Sequence, residues 1–181
     1  MIATAGSRGL GKIGRAMSVG AVALMLLSPL ACAAAEPALE CDFDQAYLAK
    51  RLQQAASRNG GARLDAADKT ATWRLRNGET VQVTHGGCVD LGTTVRLIYA
   101  KGRPAPSREA AVERIIGIAE RYWSAADARR IEAAYRRGKP RERQIDPGKI
   151  ELSGALDPVG FSFEFYILLS GSEVELSWQE A

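Results

Sequence analysis

His85, Cys88 and Asp90 lie close together in "VTHGGCVDLGTTVRL", residues 83–97, with Gly86 and Gly87 between the first two. A thiolate beside an imidazole is the pairing that nucleophilic catalysis uses, and the three side chains together could begin a metal site. Both readings are weak on chemistry. Structural zinc takes about four ligands, and His85 is the chain's single histidine. A nucleophilic cysteine needs a free thiolate, whereas Cys41 offers Cys88 a partner for oxidation. The favoured reading is a Cys41–Cys88 disulfide beside a glycine bend. In the chain-entropy treatment, closing that loop stabilises a fold by roughly 4 kcal/mol. His85 and Asp90 then flank a pinned loop, a secondary candidate for contacts. No catalytic residue and no metal ligand is assigned.

The disulfide reading rests on export. Arg8, Lys12 and Arg15 precede the apolar stretch "AMSVGAVALMLLSPLA", and Ala33 and Ala35 form an A-x-A cleavage site. Residues 1–35 are expected to be a cleaved signal peptide, which takes Cys32 out of the mature protein. The alternative is a lipoprotein anchored at Cys32, but Pro29 stands where a lipobox has leucine. Gly9, Gly11 and Gly14 spell G-x-G-x-x-G inside the signal, with no strand before them, so they do not mark a dinucleotide loop. The precursor's formal charge of +3 disappears with the three signal cations. A neutral mature chain gives no argument for nucleic acid.

Residues 36–181 are long enough for one domain that buries roughly 70% of its unfolded surface. Asp42 or Asp44 can cap a helix carrying Phe43, Tyr47, Leu48, Leu52 and Ala55 on its inner face, ended by "NGG" at 59–61. Trp73 and Leu75, then Val81 and Val83, alternate on two strands around Asn77 and Gly78. A three-residue loop with Gly78 left-handed sets Trp73 opposite Val81 and keeps all four inward, which a two-residue loop does not. Val95, Leu97 and Tyr99 mark a third strand. Ser107 caps a helix with an apolar stripe at Val112, Ile115, Ile116, Ala119, Tyr122 and Trp123. Ser124 and Asp127 form a capping box for another, packed through Ala128, Ile131 and Tyr135 and stopped by Gly138 and Pro140.

A charged connector, "KPRERQIDPGK", leads to a short strand at Ile150 and Leu152. Phe161, Phe163, Phe165, Ile167 and Leu169 share one face of the next strand, and Val174, Leu176 and Trp178 return as its hairpin partner. A four-residue loop pairs Leu169 with Val174 and Ile167 with Leu176. The expected fold is α+β: an antiparallel sheet of about five to six strands, two to three helices packed on one face, and a single disulfide.

The strongest surface signal is "RRIEAAYRRGKPRER", residues 129–143. Arg129, Arg130, Arg136, Arg137, Lys139, Arg141 and Arg143 face only Glu132 and Glu142 there. Arginines suit bidentate contact with carboxylates or phosphates, and this segment is the candidate partner-binding site; the same charges also suit a helix C-terminus and a solvated loop. Glu164, Glu173 and Glu175 could supply paired carboxylates near the last hairpin, although acidic groups on an outer strand face usually solubilise. Tyr166 faces away from the aromatic core set. No cofactor motif remains once the signal is removed.

These features suggest an exported periplasmic protein that binds rather than catalyses, with a protein partner in the cell envelope and no nucleic acid. A membrane enters only through lipidation at Cys32 or surface charge. In kind, export, size, one disulfide and the lack of a catalytic set resemble the small bacterial inhibitors and immunity proteins that block cell-wall enzymes. The alternatives are an envelope enzyme using carboxylates on glycan or peptidoglycan, and a structural factor bound to peptidoglycan or anionic lipid.

Overall fold

The computed structural model describes residues 43–67, 69–88, 91–156 and 164–180, all within the compact unit Ala38–Ala181. The signal segment, Cys32, Cys41, Asp42, Asp90, Phe161 and Phe163 lie outside the described residues. Among the described residues the architecture is α+β, with three helices and one fully antiparallel sheet.

Helix α1 (Gln45–Asn59) starts where the Asp44 carboxylate accepts from the amides of Ala46 and Tyr47, at 2.9 and 3.2 Å. It ends at Gly60, whose φ of +59° favours glycine. Leu48, Leu52 and Ala55 are buried as their spacing predicts. Tyr47 is not, being 57% exposed. Position 47 precedes 48 by 100° on the helix wheel, which carries it off the buried stripe.

Strands β1 (Arg63–Asp65), β2 (Thr70–Arg74), β3 (Thr80–Gly86) and β4 (Leu91–Ile98) form a meander. Trp73 pairs with Val81, and Gly78 has φ +86°, so the three-residue loop is the one adopted. The Leu75 amide donates to Glu79 O at 2.8 Å and closes it. Helices α2 (Arg108–Tyr122) and α3 (Ala125–Arg137) follow, capped by Ser107 and Ser124. The Ser124 hydroxyl accepts from the Asp127 amide at 3.2 Å, while the Ser124 amide donates to Ala119 O at 3.0 Å. Only one half of the capping box is therefore made through Ser124's side chain. All six residues of the α2 stripe are buried.

The last four strands are β5 (Arg141–Asp146), β6 (Lys149–Ala155), β7 (Glu164–Leu169) and β8 (Glu173–Glu180). Leu169 faces Val174 and Ile167 faces Leu176, as the loop length requires. The expected five to six strands are corrected to eight. Two were missed because they bury no alternating side chains: every residue of β1 and of β5 is exposed. The charged connector is in fact largely strand β5, which a turn through Gly148, at φ +79°, folds back onto β6.

The sheet runs β1-β2-β3-β4-β8-β7-β6-β5, so pairing of β4 with β8 joins the N-terminal meander to the C-terminal one. Trp73, Val81, Leu97, Val174 and Leu169 form one row across it, and with the helix stripes they belong to a single core. The helices cover that face. Gly154 makes room within it: opposite Phe165, a Cβ would stand 2.7 Å from the Phe165 ring. The aromatic ring lies over the gap in place of a side chain.

Candidate functional site

His85 ends the inward row of β3, and Glu79, just before the strand, continues that row beyond Val83 and Val81. Both are buried, at 1% and 2% exposure. His85 Nδ1 lies 2.8 Å from Thr93 Oγ1, and its ring rests 4.3 Å from that of Trp123. Among the described residues Nε2 has no hydrogen-bond partner. Burial pushes the pKa down to about 4, helped by the positive charge of Arg51. Asp127 and a hydrogen bond with the Gly92 backbone oppose the shift. A histidine held neutral and enclosed is a core residue rather than a general base open to substrate.

The bend after His85 is tied to α1 through Gln45. Its amide nitrogen donates to Gly87 O at 3.0 Å, and its oxygen accepts from Lys69 Nζ at 2.6 Å. A Cβ at Gly86 would stand 2.8 Å from Lys69 Cδ, so the absence of a side chain lets that lysine cross the strand end. Cys88 is half-buried beside this link.

The basic segment is divided between two elements. Arg129, Arg130, Arg136 and Arg137 belong to α3. Arg129 pairs with Glu120 at 3.4 Å and Arg136 with Glu132 at 2.7 Å, while Arg137 Nε donates to Ala133 O at 3.2 Å. These contacts balance a helix and its C-terminus. Arg141 and Arg143 belong to β5, where they pair across to Ser153 and Glu151 on the sheet face that carries no helix among the described residues. Arg143 binds Glu151 at 2.9 Å. Lys139 and Arg141 make no ion pair among the described residues, and both border a cleft of about 270 Å³ with Gly138, Gly154 and Glu164.

The helix-free face continues from there. One row reads Thr70, Thr84, Thr94, Ser177, Tyr166, Ser153 and Arg141; the next reads Thr72, Gln82, Arg96, Glu175, Leu168, Glu151 and Arg143. Arg96 Nε donates to Glu175 at 2.8 Å. Tyr166 donates to Glu164, which raises the phenol's pKa. Glu164 and Glu175 are not neighbours: Glu175 faces Leu168, four residues along β7 from Glu164, about 13 Å at strand rise. Glu175 is held by Arg96, and Glu173 stands two residues from it on β8, about 7 Å at strand rise.

One polar cluster escaped the sequence reading. Glu79 binds Arg114 of α2 and accepts from Asn77 Nδ2 at 2.8 Å. Burial, the largest cause, and the Glu79 charge raise the pKa of nearby Tyr99, against the lowering effect of Arg114. The signal was present, since a carboxylate on the inward parity of an alternating strand demands a buried partner.

Among the described residues no group of three or more His, Cys, Asp or Glu side chains is placed to hold a metal ion. Among them, too, no helix is long and apolar enough to cross a membrane. Compared with known protein families, curated proteins and solved structures, the chain matches none.

Proposed function

We propose that this is an exported, non-enzymatic binding protein of the bacterial periplasm, and that it docks a protein partner through the helix-free face of its sheet and the adjoining β5 edge. The observation that carries the reading is that eight-stranded face, which no described helix covers. At ordinary strand spacing and rise it measures roughly 35 by 20 Å, about 700 Å². That is close to the roughly 800 Å² that one partner contributes to a standard interface. Its side chains are mainly Thr, Ser, Gln and paired Arg and Glu, anchored on strands, so little ordering entropy is lost on contact. Lys139 and Arg141 supply the available positive charge at one end. Inhibition of a cell-wall enzyme is the form of binding that this class of exported domain suits.

Export and the Cys41–Cys88 bridge belong to the same proposal. The Gln45 link supports the bridge by holding the start of α1, a few residues after Cys41, against Gly87. Intact mass of the secreted chain should start at Glu36 and be lighter by the two hydrogens lost on oxidation; alkylatable thiols would remove the bridge. The binding reading is tested by passing periplasmic extract over the immobilised mature protein. One stoichiometric protein partner, eluted by salt, is expected. Hydrolysis of cell-wall fragments by the purified protein would replace this reading with an enzymatic one.

A further inference from the structure

We propose that a second site, separate from the docking face, binds a small ligand through its anionic group, phosphate or carboxylate. The site is a cleft of about 650 Å³ where the C-terminal ends of α1 and α2 meet the tip of the β2–β3 hairpin. Three guanidinium groups line it, from Arg74, Arg76 and Arg121, and no carboxylate does. None of the three makes an ion pair among the described residues.

Helix C-termini carry partial negative charge, which Arg121 in the last turn of α2 offsets. The Asn59 side chain also donates to Arg121 O at 3.1 Å. Arg74 and Arg76 come from the hairpin rather than from either helix, so they add charge beyond what the termini call for. In a mature chain of neutral formal charge, three such cations without an anion form a local excess that a ligand can neutralise. Arginine forks do this bidentately for phosphate and carboxylate alike.

The aromatic floor beneath the arginines is closed, because Trp73 and Tyr122 are 3% and 7% exposed. Trp73 and Tyr122 meet edge to face with centroids 5.1 Å apart, and Ile118 lies beside them. Arg121 lies over the Tyr122 ring, 5.4 Å from its centroid, which holds its guanidinium at the cleft. Gly60 and Gly61 keep the opposite wall low: both have positive φ, and a Cβ at either would meet nothing within 4 Å.

The test is an NMR titration of the full mature protein with phenyl phosphate, benzoate and the uncharged analogue benzamide. At least one of the two anions should give saturable shifts at Gly60, Gly61, Ile118 and the Trp73 indole, with millimolar affinity or better. Benzamide should bind about tenfold more weakly or worse, and Arg74→Gln with Arg76→Gln should cost the anion about tenfold while thermal unfolding stays unchanged. The tighter of the two anions identifies the headgroup. The proposal is overturned if neither anion saturates, if shifts fall outside the cleft, or if benzamide binds as well as the anions. The benzamide comparison holds without any variant.

Discussion

Alternation along β3 and the residue before it turned two polar side chains, His85 and Glu79, inward at the ends of an apolar row, and each is stabilised differently. His85 is kept neutral, and its effect on stability follows from linkage. The folded pKa of about 4 lies below the ordinary 6.5, so the unfolded chain binds the proton more readily between those values. Stability is therefore complete above pH 6.5 and falls as pH drops toward 4, by up to roughly 3 kcal/mol. Urea unfolding of His85→Phe across this range should show a flatter slope than the parent protein; an unchanged slope would mean that other groups control it. Glu79 is instead paired with Arg114. Arg114→Leu should cost about 2–4 kcal/mol because it strands a buried carboxylate, and adding Glu79→Leu should recover part of that loss. Equal unfolding midpoints for the single and double variants would contradict this. The burial of both residues could be read from strand parity. Their partners could not, because Arg114 stands 35 residues from Glu79 on a helix whose rotation depends on packing.

Elements that bury a regular stripe were legible, and those that bury nothing were not. The α2 stripe, the Gly78 loop and the β7–β8 register each follow from a period or a loop length that permits one inward set. Strand β5 has no such pattern, since "RERQID" is exposed throughout and depends on β6 for its hydrogen bonds. Its charges are what an edge strand needs to discourage pairing with another chain. That placement also divided the basic segment, a consequence invisible while 139–149 read as a connector. Gly154 shows the same dependence on tertiary context, because its role is set by a ring across the strand. Gly154→Ala should push against Phe165 and cost about 1–3 kcal/mol in denaturant unfolding, with Phe165→Leu relieving part of it. A Gly154→Ala protein as stable as the parent would show that the ring moves freely.

Across the whole molecule, β4–β8 pairing makes one broad sheet from two meanders, with helices on one face and a polar surface on the other. A sequence signals which residues turn inward but not which strands from distant segments become neighbours, so the extent of that surface emerged only from the fold. If the surface and its β5 edge form the docking site, charge at Lys139 and Arg141 governs association, whereas charge at Arg136 and Arg137 serves α3. The deciding measurement is surface plasmon resonance of the recovered periplasmic partner on two charge-reversed proteins at low and moderate salt. Lys139→Glu with Arg141→Glu should slow association about tenfold or more and weaken its salt dependence, while Arg136→Glu with Arg137→Glu should leave both close to the parent. Unchanged binding by the β5-edge variant, or a loss confined to the α3 variant, would contradict the account.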